Sequence, residues 1–388
     1  MSRSEKRSVL FGVTIDYQLR YHDGLYERLA DDGWEVHLVA GDGPIGDRFG
    51  EHPGVTRHVL DMARAPNPVA DLRGLVQWMR LLNRVRPDLI VVGTPKAGLL
   101  GSIAGMLARV PGRVYELHGL RLESASGTLR VLLRTLEKVS CAASTRVIAV
   151  GASLRDRALS ERLAPSAKVD VLGAGSPNGV DVERFRRASA DTVAKTSLRT
   201  DLGIPEDAQV VSFVGRLTAD KGLETLTVAM AGAEERNRAW LLVVGGIDDR
   251  SGLEGEQRLR KTVPRLVLVG EVDDVAPYLA ISDVFCLPSR REGLPTVVLE
   301  AFAADVPVVA TSATGIVDLV SHHETGRLSP IDDGAALKRQ LLDAFDDREG
   351  SLRMAASAAQ LVADRFSRET VQRAWTDTLE RMWASKHR

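Results

Sequence analysis

"VVSFVGRLTADKGLETL", residues 210–226, reads as a buried strand, a turn and the start of a helix. The β-branched run stops at Gly215, the polar stretch after it carries Arg216, and Lys221-Gly222 opens an amphipathic segment. A strand handed to a helix through a glycine is the building block of a parallel sheet, because parallel neighbours need a crossover between them. The same block recurs on both sides of it. Strand-like runs precede it at 9–14, 35–40, 88–93, 113–117, 146–150 and 168–172, and follow it at 240–246, 265–270, 283–288 and 306–311. Helical stretches separate these runs, so the chain is read as α/β, with doubly wound Rossmann-like sheets covered on both faces.

At 388 residues the chain exceeds a single typical core, which predicts two domains. The alternation fails at 181–208, a polar stretch without a strand, and this is read as the connection between residues 1–180 and residues 209–366. The final run, "SRETVQRAWTDTLERMW" from Ser367, puts Val371, Trp375, Leu379, Met382 and Trp383 on one helical face. Two tryptophans need a partner surface, and helix 367–388 is expected to pack back on the first domain. Two such sheets are expected to leave a cleft at the carboxyl ends of their strands, where α/β folds bind ligands.

Composition narrows the partners. With 51 Lys and Arg against 52 Asp and Glu, the chain lacks the positive excess of a nucleic-acid binder. The halves differ: residues 1–180 hold 24 basic and 19 acidic side chains, near +5, and the remainder is near −6. A basic first half points to an anionic partner, peripheral membrane contact included. Cys141 and Cys286 lie far apart in apolar stretches, as reduced core thiols do, and no apolar run reaches membrane-spanning length. The expected location is cytoplasmic, with the inner face of the cytoplasmic membrane within reach.

The motifs exclude some chemistry and offer other. No G-x-G-x-x-G follows the first strand, no P-loop occurs, and no Asp-x-Asp pair is present to carry a metal on a nucleotide diphosphate. A bound phosphate would have to rely on side-chain cations and backbone amides. Gly215 lets the backbone approach a ligand, Arg216 can fork onto two phosphate oxygens, and Lys221 adds charge at a helix N-terminus. "REGLPTVVLEA", 291–301, is the second such stretch. Glu292 falls in a loop at the sheet's carboxyl edge, Gly293 and Leu294 offer N–H groups, and Pro295 suits the first helical turn. Glu300 then lies one and a half turns inward, flanked by Val298, Leu299, Ala301 and Phe302, where a carboxylate is costly unless it meets donors. Ribose hydroxyls would serve. On spacing alone, a surface glutamate and a solvated helix glutamate fit as well.

Taken together, "FVGRLTADKG" and the downstream "ISDVFCLPSRREGLPTVVLEA" resemble the donor-binding domain of family 4 retaining glycosyltransferases of the GT-B fold, and the likeness extends through "ATGIVDLVSHHETGRLSP" (313–330). The resemblance includes that family's Glu-x7-Glu signature, here Glu292 to Glu300, and its diphosphate clamp, here Arg216 and Lys221. It implies that Glu300 binds the nucleotide ribose, that Glu292, Gly293, Leu294 and Pro295 hold the sugar of a UDP-sugar, and that no metal or cofactor is required. Retention at the anomeric carbon is implied too, the departing diphosphate taking the acceptor's proton while Arg216 and Lys221 stabilise its charge.

In the first half, "RVYELHGLRLES" (113–124), "LLRTLEKVSCAASTRVIAVGASLRDR" (132–157) and "GAGSPNGVDVERF" (173–185) look like the branch that builds capsular, lipopolysaccharide and N-glycan precursors on polyprenyl diphosphate. That likeness implies a catalytic role for His118 beside the sugar's reacting end and places Asn178 in a donor-lining loop. On its own His118 reads more readily as a satisfied structural histidine, and its place at the carboxyl edge of a strand is what favours a functional one. The first βα loop, 13–24, departs from the family pattern, leaving Arg20 and His22, with Arg121, as candidate acceptor contacts. Ile247-Asp248-Asp249 departs at the expected base contact. In "TLRVLLRTLEKV", 128–139, Arg130, Arg134 and Lys138 share a face opposite Leu129, Leu132, Leu133 and Leu136, which fits a core helix with a solvated basic side or one resting on anionic lipid. His322-His323 are read as loop residues pointing apart. The acceptor is expected to be a lipid-linked or other glycan; a soluble aglycone acceptor, a nucleotide-sugar epimerase and a non-catalytic binding module stay open.

Overall fold

The computed structural model describes residues 7–62, 67–231 and 239–385; the basic residues 1–6 and the last three positions of the expected terminal helix lie outside them. The chain forms two compact units, Met1–Asn178 with Val371–Arg388, and Gly179–Thr370.

Among the described residues the first unit holds a seven-stranded sheet, β1 Arg7–Gly12, β2 Trp34–Ala40, β3 Val55–Val59, β4 Leu89–Gly93, β5 Gly112–Leu117, β6 Arg146–Ala149 and β7 Val169–Val171, in the order β3-β2-β1-β4-β5-β6-β7. Every pairing in it is parallel. Strand order reverses between β1 and β4, which makes their carboxyl ends the switch point. One face of the sheet packs Trp78, Leu81 and Leu82 of helix Pro68–Val85 and Ala97, Leu100 and Ala104 of helix Pro95–Leu107 on Leu10, Ile90 and Val92. The other face packs Leu25, Tyr26 and Leu29 and, from the chain's last helix, Arg368–Ala384, Val371, Trp375 and Leu379 on Val9, Phe11 and Val36.

Among the described residues the second unit's sheet has six parallel strands: β8 Val210–Val214, β9 Trp240–Val244, β10 Leu266–Gly270, β11 Val284–Leu287, β12 Val308–Thr311 and β13 Arg327–Ser329. Their order is β10-β9-β8-β11-β12-β13, which puts the switch point between β8 and β11. Two edge strands, β3 and β13, escape the sequence reading: "VTRHV" and "RLS" carry Arg, His and Ser, which strands at a sheet edge tolerate and which hide the apolar signal. The stretch 181–208, read as a connection, is mostly helical, Val182–Ala190 and Thr192–Asp201, each capped by an Asp side chain, and it belongs to the second unit. Cys141 and Cys286 are free and buried. No described helix is long and apolar enough to cross a membrane.

Candidate active site

In the second unit, the turn after β8 is built by glycines that nothing else could replace. Gly222 is left-handed at φ 70°, and a Cβ there would stand 1.9 Å from the Pro288 carbonyl oxygen at the end of β11. Gly245, at φ 144°, lies so close that its Cβ would come 2.0 Å from the Gly215 carbonyl oxygen. These contacts draw the start of helix Leu223–Met230 onto the switch point, with Lys221 just before it.

Lys221 Nζ donates to Glu292 Oε1 at 2.6 Å, and Ser289 Oγ donates to the same oxygen at 2.6 Å. The Glu292 N–H bonds the Thr314 carbonyl at 3.1 Å, which fixes the loop. Oε2 of Glu292 has no protein partner among the described residues and is available to a ligand hydroxyl. Pro295 is the N-cap residue of helix Thr296–Ala303, one position outside the first turn that the sequence predicts. Gly293 and Leu294, both buried, direct N–H groups that no protein acceptor among the described residues receives.

Glu300 falls on that helix between the buried Val298, Leu299, Ala301 and Phe302. No protein hydrogen bond reaches its carboxylate among the described residues. Burial pushes it up to about 7; Arg184 and Arg368 pull the other way and Asp274 adds to the rise. Arg216 is largely exposed and pairs with Asp248. The departure at 247–249 thus supplies the counter-charge that holds the arginine, while Asp249 caps helix Arg250–Thr262. Arg291 pairs with Asp220 in the same way. The cations are held in place by carboxylates that a diphosphate would have to outcompete.

The first unit places His118 just past β5, over Gly93 at the end of β4, where a Cβ would meet the imidazole Nε2 at 2.6 Å. Beside it Thr94, at φ 68°, holds a backbone conformation that a β-branched residue rarely adopts, anchored by Thr14 Oγ1 at 2.8 Å. His118 Nε2 approaches Glu116 Oε2 at 3.2 Å, and the Tyr21 ring lies 4.7 Å from its ring. Glu116 also meets His22 Nε2 at 2.8 Å.

His22, considered as an acceptor contact, is buried and holds this carboxylate instead. Glu116 itself escaped the sequence reading, since one glutamate within a strand gives no periodic signal. Arg20 packs on the Tyr17 ring at 5.3 Å, and Arg121 is exposed in the short turn after His118. Asn178 is buried and accepts from Gln372 Nε2 at 3.3 Å. His322 and His323 stack at 3.8 Å between ring centroids rather than pointing apart. The described residues hold no group of three or more His, Cys, Asp or Glu placed to share a metal ion.

Two family models match the chain: "Glycosyl transferase 4-like domain" over residues 19–175 and "Glycosyl transferases group 1" over 194–361. The capsular polysaccharide biosynthesis glycosyltransferase CapM of Staphylococcus aureus is 30% identical over 361 residues, covering 92% of this chain and 93% of that protein. The UDP-Gal:alpha-D-GlcNAc-diphosphoundecaprenol alpha-1,3-galactosyltransferase of Escherichia coli is 27% identical, covering 83% of each. Anabaena HepE, solved with UDP and glucose, superposes with a TM-score of 0.80 at 21% identity over 96% of this chain and 99% of its own. Sucrose-phosphate synthase from Thermosynechococcus elongatus gives 0.81 at 20% over 98% and 100%. By fold, by both family models and by full-length likeness to a capsule-building enzyme, this chain belongs to the family 4 glycosyltransferases of the GT-B fold.

Proposed function

We propose that the chain moves a sugar from a UDP-sugar to a polyprenyl-diphosphate-linked glycan precursor, with retention at the anomeric carbon and without a metal. The observation that carries the donor half is the pair of carboxylates in the second unit. Glu300 sits among apolar helix neighbours and accepts from no protein donor among the described residues, as a ribose-binding carboxylate would, and Glu292 is fixed by Lys221 and Ser289 with one oxygen open. Arg216 and Lys221 then serve the diphosphate, and the N–H groups of Gly293 and Leu294 the sugar. On this reading His118 serves the sugar's reacting end, and Arg20 and Arg121 remain the acceptor candidates.

Transfer breaks the bond between the anomeric carbon and the diphosphate and forms one to the acceptor oxygen on the same face of the sugar. As that bond breaks, its electron pair leaves with the diphosphate, charge accumulates where Arg216 and Lys221 can stabilise it, and the departing phosphate takes the acceptor's proton. Support for the uridine base and for the lipid-linked acceptor comes from what HepE was solved with and what the Escherichia coli relative acts on.

Thermal-shift titration with UDP, GDP, ADP and NAD, with and without magnesium, tests the donor reading. UDP-selective, metal-independent stabilisation that disappears in Glu300→Ala and Arg216→Ala is expected. Equal stabilisation by all four, or none, would overturn the donor assignment. Lys221→Ala should lower turnover on the order of 10²-fold, as loss of one contact to developing charge does.

A further inference from the structure

Glu116 lies near the end of β5 as a carboxylate with 2% exposure, and among the described residues two imidazoles approach it. Both present Nε2 to the same oxygen, Oε2, at 2.8 Å from His22 and 3.2 Å from His118. The first is a well-formed hydrogen bond and the second a looser ion-pair contact. Glu116 Oε1, His22 Nδ1 and His118 Nε2 are buried and complete no hydrogen bond, so the carboxylate holds His118 through the 3.2 Å charge contact alone. An arrangement that leaves three buried polar atoms unsatisfied is expensive for a purely structural role. Burial alone would raise the carboxyl, but the two imidazoles outweigh it and hold it down to about 2.

The rings on either side are immobilised. His22 packs edge-on to Trp375 at 5.0 Å and beside Phe11 at 5.3 Å, so it acts as a fixed prop for the carboxylate. His118 is confined between Tyr21 and the backbone at Gly93, which has no side chain because none would fit. With Nε2 turned toward Glu116, Nδ1 is the nitrogen left over, and no protein group among the described residues bonds it. An imidazole without such a partner can flip and exchange tautomers, whereas a carboxylate selects the Nε2–H form and one ring orientation.

We propose that Glu116 is a positioning residue: it holds His118 by Nε2 so that Nδ1 is presented to the substrate, and His22 keeps the carboxylate in place. This rests on the reading of His118 as the group beside the donor sugar, and it adds the pair of residues that would make that group directional.

The test compares Glu116→Gln and Glu116→Met, each in the native chain and in His118→Ala, after confirming folding by thermal melts. The nitrogen-15 imidazole spectrum comes first: His118 is expected as the Nε2-protonated form in the native chain and as a changed or averaged form in Glu116→Met. Kinetically, Glu116→Met should lower kcat by roughly 10–100-fold, the range seen when a histidine's outer partner is removed, with a smaller effect on the donor KM. Glu116→Gln, which keeps an acceptor oxygen, should fall between, and the loss should vanish once His118 is alanine. A folded Glu116→Met with an unchanged His118 spectrum, or an equal loss in both backgrounds, would overturn the proposal. Should Glu116→Met not fold, Glu116→Gln carries both readouts. Should the native chain show no transfer, the functional reading fails, and the spectrum alone still decides whether Glu116 orients His118.

Discussion

Glu300 is a carboxylate that the fold keeps in an unfavourable place. Its proton is held up to about 7 by burial, against an ordinary value of 4.5. The folded protein therefore binds a proton that the unfolded chain has already released between those values, and stability falls as pH rises through that window. The full shift would correspond to about 3 kcal/mol, and partial exposure of the side chain to solvent reduces this to roughly 1–2 kcal/mol. Glu300→Gln should abolish this loss, melting higher than the native chain at pH 8 and nearly equally at pH 5. Nucleotide binding should run the opposite way, because only the ionised carboxylate accepts from both ribose hydroxyls. Stabilisation by UDP larger at pH 8 than at pH 6 is the expected titration result, and a pH-independent response would sink the ribose assignment. Glu292, Glu300, Arg216 and Lys221 were singled out in the sequence through the resemblance of two stretches to a known family, since their spacing alone fits a surface and a solvated glutamate as well. The roles of Glu116, His22 and Asp248 were not legible, because their partners are 94, 94 and 32 positions away and only packing brings them together.

Helices carry the next level, and here sequence and structure part over which face is buried. In helix Gly127–Ala143 the sequence offers two readings, leucines packed inward with a solvated basic face, or a basic face resting on anionic lipid or an acceptor diphosphate. The structure instead pins Arg130 and Arg134 to Glu161 and leaves Leu129, Val131 and Leu132 more than half exposed, at 55%, 65% and 51%. A distant glutamate from the neighbouring helix decides the orientation, and no local pattern reports it. Helix Pro68–Val85, on the same side of the sheet with Pro95–Leu107 between the two, likewise exposes Val69, Leu72 and Val76 among Arg73, Arg80 and Arg84. The carboxylates of the two helices are occupied: Asp71 by Lys96 at 2.6 Å, Glu137 by the Tyr115 hydroxyl at 2.7 Å. On helix Pro68–Val85 the exposed apolar groups stand beside arginines while the helix's one acid, Asp71, is already paired, and with the exposed leucines of Gly127–Ala143 this face fits an anionic lipid surface. Flotation with vesicles containing anionic phospholipid should carry the protein at low salt, and Leu129→Asp with Val131→Asp should leave it in solution. Binding unchanged by both substitutions would count against this face. In the second unit the decisive element is the β8 turn, where Gly222→Ala should destabilise by about 2 kcal/mol or more and remove the response to UDP, since its Cβ has no room beside Pro288.

At the scale of the whole chain, the alternation of strand and helix made both sheets and the returning helix readable, and the terminal helix ties the last residues to the first unit. Val371, Trp375 and Leu379 lie in the same core as Val9, Phe11 and Val36, and the Trp375 indole N–H donates to the Pro177 carbonyl at 3.1 Å. Gln372 from the same helix bonds both the Asp23 carbonyl and Asn178. A unit completed from the far end of the chain cannot reach full stability until the second unit has been made. Trp375→Ala removes one of the largest fully buried side chains and should cost the first unit about 3–5 kcal/mol. The second unit contains its own sheet and core, so calorimetry of Trp375→Ala should show an early transition for the first unit and a later one that UDP still raises. Because Trp375 also packs on His22, the same substitution should loosen the Glu116 pair and lower kcat in the early transition's still-folded range. A single transition displaced as a whole would mean that the two units unfold together, and that the last helix stabilises the entire chain rather than the unit it completes.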